Sequence, residues 1–211
     1  MAWAEEAPRD LLSAILARAD MYEAKQGVGL YNADDPEGGV FLVQSGRLDV
    51  LLPEEGLSHP LGHCLGPGWW AGDISAISGQ PRRIALFAGR DSNVLRLTRS
   101  ELARLCDEFP QMWQILAKMA AENMDIAIGA SASLRIEDPT WRVAACLLRL
   151  TRTGPGWNNA LPISQTELAS IANISRRRVI GALSELDRRG ATSRSRLLIR
   201  IDPVRLQEFE N

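Results

Sequence analysis

The 211-residue sequence lacks any run of about 18 uninterrupted apolar residues, the length that a membrane-spanning helix requires. Its start carries two glutamates and a proline where a secretion signal would carry basic and then apolar residues. Its three cysteines, Cys64, Cys106 and Cys146, provide neither a disulfide framework nor the close pairs that hold zinc or an iron–sulfur cluster. We therefore expect a cytoplasmic protein with no membrane partner and with buried or unreactive thiols.

Catalytic and metal-binding patterns are also missing. His59 and His63 are the only histidines, and their glycine- and proline-rich segment predicts surface loops rather than the metal site of a cupin-type enzyme. The sequence contains no Ser/His/Asp or Cys/His set, no glycine motif that cradles phosphate, and no close aspartate pair in a cleft-like setting. We expect no catalytic residue and no metal, and the cupin-type enzyme is the main alternative from another class.

Charge is unevenly distributed along the chain. Residues 1–138 hold 12 Lys and Arg against 20 Asp and Glu, a net charge of −8, whereas residues 139–211 hold 12 against 6, a net charge of +6. The sum is the total charge of −2. A basic C-terminal third in an acidic protein predicts a polyanionic partner for that third.

The N-terminal half changes from a helical to a strand-like pattern. The first 20 residues predict a helix, because apolar residues recur there at helical spacing. Between residues 27 and 98, glycine-bearing turns separate four short apolar runs, which are Val40–Val43, Leu48–Leu52, Ile84–Phe87 and Val94–Leu97. These strands predict an antiparallel β-barrel or sandwich, and the later helices make the fold class α+β.

A long helix is predicted from Pro110 to about Leu134, because no proline interrupts it. One set of its residues recurs in steps of four and three, which is typical of a seam between two helices. The predicted dimer interface consists of Met112, Leu116, Met119, Asn123, Ile126 and Ala130. Packing of this face against the barrel of the same chain is the alternative.

Asp138 and Pro139 form a helix-start signal, a capping acceptor followed by the residue that tolerates the first helical position. We place a domain boundary there. The predicted organisation is a sensor-like barrel with flanking helices over residues 1–108, a dimerisation helix and hinge over 109–137, and a DNA-binding domain over 138–211.

Two short helices joined by a tight turn are predicted after Ile163. Ser164 can cap the first helix with Glu167 completing a capping box, and Ser175 can cap the second. The second helix opens with three arginines at positions 176–178, which oppose the positive end of the helix dipole and so favour a bound anion such as DNA. A hairpin after Gly190 would place Arg194 and Arg196 along DNA phosphates.

The stretch 163–186 resembles the winged helix-turn-helix of the Crp/Fnr superfamily. Residues 41–48 resemble the superfamily's barrel motif, and Gly72-Asp73 followed by residues 78–82 resembles its glycine-containing segment. The resemblance covers residues 20–205. It implies a bacterial transcription regulator with a jelly-roll (double-stranded β-helix) sensor domain of the cyclic-nucleotide-binding type. It also implies a homodimer joined through the long helix that binds a palindromic DNA site, with RNA polymerase as a further partner.

The resemblance also implies roles for individual residues. Arg176 and Arg177 match base-contacting positions, and residues 164–166 match phosphate-contacting positions. Gly181 departs from the pattern, since a base-reading arginine often stands there. The predicted DNA-binding residues are Ser164, Gln165, Thr166, Ser175, Arg176, Arg177, Arg178, Arg194 and Arg196.

The predicted effector pocket consists of Gly72, Asp73, Arg82, Arg83, Asn123 and Ala127. It departs from the family's cyclic-nucleotide binders, because Asp73 replaces the ribose-binding Glu and no small hydroxyl residue follows either arginine. Ala127-Ile128 stands where the cyclic-AMP sensor has a hydroxyl pair that meets the adenine. Cyclic AMP is therefore disfavoured, haem and an iron–sulfur cluster are not expected, and the cofactor is left open. An effector-independent regulator and a scaffold protein with a decayed DNA-binding element are further alternatives.

Overall fold

Two facing antiparallel sheets form the N-terminal half of the chain. The computed structural model describes residues 7–36, 38–53, 60–195 and 198–209. The eight strands are β1 (Asp20–Ala24), β2 (Gly29–Tyr31), β3 (Val40–Ser45), β4 (Leu48–Leu51), β5 (Leu61–Leu65), β6 (Trp70–Ala71), β7 (Ala85–Ala88) and β8 (Ser92–Leu97). They form four-stranded sheets in the orders β1-β8-β3-β6 and β2-β7-β4-β5. This arrangement confirms the predicted jelly roll and the α+β class.

The apolar runs of the sequence become the central strands of these sheets. Phe41 and Val94 of one sheet pack with Leu48 and Leu86 of the other in a single buried cluster. Burying both inner faces removes the apolar side chains from water, which stabilises the pairing of the sheets. Strands β1, β2, β5 and β6 were not predicted, because their apolar runs are short or interrupted.

In the described part of the chain, four helices accompany the jelly roll, namely α1 (Arg9–Arg18), α2 (Asp73–Ser78), α3 (Arg99–Glu108) and α4 (Gln111–Ser133). Thr98 caps α3 by accepting a hydrogen bond from the backbone N–H of Glu101. Leu11 of α1 and Leu105 of α3 share a buried cluster with Leu116 of α4. Among the described residues, no helix combines the length and apolarity that crossing a bilayer would require.

The predicted dimer seam of α4 is corrected by this packing. Met112, Leu116 and Met119 are buried against α1, α3 and the jelly roll of their own chain, and Ile126 is also buried. These side chains are therefore not available to a second helix. Spacing in steps of four and three identifies an apolar face of a helix, but it does not say whether that face meets another protomer or its own sheet.

The C-terminal unit, residues 138–209, contains α5 (Pro139–Arg152), a 3₁₀ turn (Pro155–Trp157), β9 (Ala160–Leu161), α6 (Gln165–Ala172), α7 (Arg176–Arg188), β10 (Thr192–Ser195), β11 (Leu198–Ile201) and α8 (Pro203–Gln207). Asp138 caps α5 as predicted, because its carboxylate accepts hydrogen bonds from Thr140 N and Trp141 N. The strands pair in the order β10-β11-β9. Ala160 and Leu161 form the third strand of this sheet by pairing with β11.

Arg47 joins the jelly roll to the C-terminal unit. Its side chain is only 2% exposed, and its Nε lies 2.8 Å from Asp49 Oδ1 within the jelly roll. Its Nη1 donates to the backbone oxygen of Pro162 over 2.6 Å, and its Nη2 donates to the carboxylate of Glu167. The charge of Arg47 is thus neutralised by one carboxylate from each unit, which fixes the orientation of α6.

A second contact between the units involves the 3₁₀ turn. The indole Nε1 of Trp157 donates to the backbone oxygen of Gly46 over 3.2 Å. A Cβ at Gly66 would lie 2.5 Å from the Trp157 ring, so only glycine allows the indole to pack this closely against the jelly roll. Gly46 thus provides the acceptor oxygen for this contact, and the absence of a side chain at Gly66 leaves room for the indole.

Replacing Arg47 by Ala is expected to lower the free energy of unfolding by about 3 kcal/mol, because Asp49 and Glu167 lose their buried cation. This is the lower end of the range for a broken buried pair, since the Glu167 side chain is 31% exposed. Urea unfolding followed by tryptophan fluorescence measures the change.

The matched control is Arg96→Ala, which removes an arginine that pairs with Asp20 over 3.3 Å at the surface. This change is expected to cost less than about 1 kcal/mol. Equal losses in the two variants would contradict the role given to Arg47.

Candidate nucleic-acid interface and effector cavity

Helices α6 and α7 form a helix-turn-helix whose turn is fixed by local capping. Ser164 Oγ accepts from Glu167 N over 3.2 Å, and the Glu167 carboxylate accepts from Ser164 N over 2.7 Å, as the predicted capping box requires. Asn173 ends α6 in the left-handed conformation, with φ of 49°. Ser175 then caps α7 by accepting from Arg178 N. The turn between the helices therefore follows from the sequence of residues 164–178.

The two faces of α7 differ in polarity. Its inward residues Val179, Ala182, Leu183 and Leu186 are buried in the core of the C-terminal unit. Its outward surface begins with Arg176, Arg177 and Arg178, all exposed. Three guanidinium groups at the positive end of the helix dipole interact unfavourably with the dipole. A negatively charged partner offsets this free-energy cost.

The predicted phosphate-contacting residues lie next to these arginines. Nη2 of Arg176 is 3.4 Å from Oε1 of Gln165, which brings the first turns of α6 and α7 together. Thr166 is exposed, and Ser164 and Gln165 are half-buried. Backbone N–H groups at a helix start bind phosphate readily, so this end of α6 suits a DNA backbone beside an α7 that reads bases.

The hairpin predicted after Gly190 is present as β10 and β11, and Arg194 of β10 also contacts α7. Nε of Arg194 donates to Asp187 Oδ2 of α7 over 2.6 Å, and its Nη2 donates to Ser184 Oγ over 3.2 Å. Arg194 is therefore held within the protomer, because β10 packs beside α7. Arg196 lies outside the described residues. Sequence reasoning missed Arg200, an exposed arginine of β11 that the alternation of Ile199, Arg200 and Ile201 could have revealed.

All six predicted effector-pocket residues line one cavity of about 310 Å³ between the jelly roll, α2 and α4. Asn123 of α4 reaches into this region. Its Nδ2 donates to Asp73 Oδ1 over 2.7 Å, and its Oδ1 accepts from the Trp69 indole over 2.9 Å. Burial raises the pKa of the Asp73 carboxyl. Asn123 was predicted for both the pocket and the dimer seam, and its contacts lie on the pocket side.

Arg82 has a structural role in the cavity wall. Its guanidinium donates to the backbone oxygens of Gly39 over 2.7 Å and Gly72 over 3.1 Å, and it stacks 4.2 Å from the centre of the Tyr31 ring. A Cβ at Gly72 would lie 2.7 Å from this guanidinium. Arg82 therefore connects the two chain segments that border the cavity, whereas Arg83 is exposed at its rim.

His63 was predicted to lie in a surface loop, and the structure corrects this. It belongs to strand β5, and only 6% of it is exposed. Its Nε2 lies 2.9 Å from the hydroxyl of Thr153 at the end of α5. Burial, assisted by the positive charge of Arg149, lowers the pKa of His63 to about 3, so the ring is neutral near pH 7. The glycine and proline residues near His63 gave the loop prediction, so this strand was missed. His59 lies outside the described residues.

Two family models match the chain: the Crp-like helix-turn-helix domain over residues 142–209 and the cyclic nucleotide-binding domain over residues 23–109. The cyclic AMP receptor protein of Thermus thermophilus is 30% identical over 163 residues, which are 76% of this chain and 74% of that protein. The chain belongs to the Crp/Fnr family.

Solved structures share the fold of this Crp/Fnr protein. FixK2 from Bradyrhizobium japonicum matches with a TM-score of 0.76 at 22% identity, covering 90% of this chain and 96% of that chain. The c-di-GMP responsive regulator CLP of Xanthomonas campestris matches with a TM-score of 0.70 at 17% identity, covering 92% and 100%. At these identities the likeness concerns the fold alone.

Family membership makes the chain a DNA-binding transcription regulator and not an enzyme. The two matched regions contain the features described above. The cyclic nucleotide-binding region runs from the end of β1 through β8 and α3, and the helix-turn-helix region spans nearly all of the C-terminal unit. The cavity and the exposed arginines of α7 therefore lie in different matched regions of one regulator.

Arg176→Ala and Arg177→Ala are each expected to weaken binding to a preferred DNA site by about 1–3 kcal/mol and to relax the preference at one base pair of each half-site. Fluorescence anisotropy on the preferred duplex and on single-base variants of it measures both effects.

Arg188→Ala is the matched control, because it removes the same charge from the opposite end of α7. It is expected to leave base preference unchanged. Unaltered preference in the Arg176 and Arg177 variants would rule these residues out as base readers.

Proposed function

We propose that this regulator acts in the cytoplasm as a homodimer that binds a palindromic DNA site and is gated by a small molecule in the jelly-roll cavity. The observation that carries the proposal is the exposed arginine cluster at the start of α7. In a two-fold symmetric dimer, paired α7 helices would enter successive major grooves about one helical turn apart. Contact with RNA polymerase completes the proposal.

The dimer face proposed for α4 is the side opposite its buried seam. There an exposed apolar strip, with steps of three and four residues, consists of Trp113, Ala117, Ala121, Met124 and Ile128. Such a strip costs free energy in water, and a second copy of the helix can cover it with the same spacing. The small alanines would allow close approach of the two helices.

Ile128→Glu is expected to convert the dimer into a protomer of about 23 kDa, because two glutamates would meet in the seam. Light scattering coupled to size exclusion measures the mass. Leu16→Glu is the matched control, since Leu16 of α1 is 61% exposed and Ile128 is 60% exposed. A dimeric Ile128→Glu protein would refute this face.

The position of α4 supports gating. One side of the helix lines the cavity through Asn123, Ile126 and Ala127, and the opposite side carries the proposed dimer strip. The end of the helix contacts α5, because Arg149 Nη1 lies 3.3 Å from the backbone oxygen of Gly129 and 3.2 Å from Ser133 Oγ. A molecule in the cavity would therefore bias both the dimer and the DNA-binding domain.

The proposed domain division follows the same contacts. Residues 1–108 would form the sensor domain, residues 109–137 the dimerisation helix and hinge, and residues 138–211 the DNA-binding domain. Arg142 Nε donates to the backbone oxygen of Ile136 over 2.8 Å, which restrains the segment between α4 and α5. That segment is short enough to transmit a movement of α4 to α5.

The proposed function is tested by incubating the purified protein with randomised duplex DNA, with and without cyclic AMP or cyclic GMP, and sequencing what is retained. A palindrome is expected without either nucleotide, because the pocket lacks the hydroxyl groups that cyclic AMP would need at residues 83 and 127–128. Enrichment only with a nucleotide would overturn this view of the pocket. Enrichment of no sequence at all would contradict the proposed function.

A further inference from the structure

The cavity wall is mostly apolar. Six of its side chains come from β4, β5, α2, α4 and the residues next to β4 and β7, namely Val50, Leu52, Leu65, Ile74, Ile84 and Ile126. Its volume of about 310 Å³ lies at the small end of the ~300–1,000 Å³ range of small-molecule sites. A wall of this kind favours a ligand that leaves water because of its hydrophobic surface.

Two polar residues of this lining, Asp73 and His63, each carry a buried atom that has no hydrogen-bond partner among the described residues. Asp73 is 2% exposed, and its Oδ2 accepts no hydrogen bond from the described residues, although its Oδ1 accepts from Asn123. His63 Nδ1 likewise has no partner among the residues that the structure describes. Buried acceptors without a donor are costly, and a bound molecule can satisfy them.

The hydrogen-bond network decides the role of the His63 ring. The hydroxyl of Thr153 donates to the backbone oxygen of Cys64 over 2.9 Å, so its oxygen accepts from His63 Nε2–H over 2.9 Å. His63 Nδ1 is then the unprotonated nitrogen and an acceptor. Both unsatisfied atoms in the wall, Asp73 Oδ2 and His63 Nδ1, therefore call for donors on the ligand.

Arg82 is poorly placed to attract an anion. It gives N–H groups to the backbone oxygens of Gly39 and Gly72 and lies against Tyr31. Releasing it toward a phosphate would leave those carbonyl oxygens without their donor.

We propose that the cavity binds an uncharged, largely apolar small molecule whose hydroxyl or N–H groups donate to Asp73 and His63. This ligand class rests on the proposed function, because the molecule would be the effector of the proposed regulator. It differs from a cyclic nucleotide, whose phosphate would need the Arg82 guanidinium that the backbone oxygens of Gly39 and Gly72 already hold.

The test uses four probes that share one ring system and differ in a single group: 1-naphthol, 1-methoxynaphthalene, naphthalene and 1-naphthoate. Isothermal titration of the full-length protein at pH 8, with cyclic AMP as a fifth ligand, measures their affinities. We expect 1-naphthol to bind several-fold to about tenfold more tightly than its methyl ether or naphthalene, since only the naphthol donates a hydrogen bond. Naphthoate and cyclic AMP should bind more weakly than naphthol.

Asp73→Asn tests the assignment of the acceptor. The amide oxygen can still accept from Asn123, while its NH₂ group would turn a donor toward the cavity. Naphthol and its methyl ether should then bind this variant with about equal affinity. Asp91→Asn is the matched control, since it removes a carboxylate that lies outside the cavity and pairs with Lys25.

The ligand class and the proposed function can fail separately, because these titrations contain no DNA. Absence of saturable naphthol binding, equal binding of all four naphthalenes, or tighter binding of naphthoate or cyclic AMP would overturn the ligand class. An unchanged naphthol preference in Asp73→Asn would overturn the role of Asp73. Selection of a palindrome would uphold the DNA-binding part of the proposed function under any of these results.

Discussion

The buried guanidinium of Arg47 is the constraint on which the relative placement of the two units depends. A charge removed from water must be neutralised, and here the neutralising groups come from Asp49 in the jelly roll and Glu167 in the C-terminal unit. Glu167 also closes the capping box of α6, and its hydrogen bonds from Arg47 and Ser164 outweigh burial and lower its pKa. One carboxylate thus joins the start of the helix-turn-helix to the jelly roll. The two parts of the regulator are therefore joined by ion pairs as well as by the covalent chain.

The elements that could be predicted are those determined by neighbours in sequence. Asp138 and Ser164 cap helices through hydrogen bonds to residues two or three positions away, so the starts of α5 and α6 follow from the sequence. Six residues were predicted for an effector pocket by resemblance to the Crp/Fnr superfamily, and all six line one cavity in the structure.

The features that could not be predicted depend on partners distant in sequence. The apolar spacing of α4 identified the buried face through Met112 and Met119 but assigned it to a second protomer. His63 was taken for a loop residue because β5 is recognisable only when it pairs with β4. The contact of Arg194 with Asp187 could not be predicted, because nothing in the local sequence of Arg194 reveals this partner. In each case a tertiary contact overrides the local pattern.

Helix α4 connects the parts of the proposed mechanism. Asn123 faces Asp73 in the cavity, Ile128 lies on the opposite exposed side, and Gly129 and Ser133 accept hydrogen bonds from Arg149 of α5. The cavity wall itself reaches the DNA-binding domain through His63 and Thr153. Binding in the cavity and binding to DNA are therefore expected to change each other's affinity by the same factor.

Paired α7 helices are proposed to read the major groove through arginine. Methylation protection of the bound duplex tests this proposal, because dimethyl sulfate modifies guanine N7 in the major groove, the acceptor that arginine contacts. Two clusters of protected guanines are expected, related by two-fold symmetry and centred about 10 base pairs apart. A single cluster, or protection confined to adenine N3 in the minor groove, would contradict it.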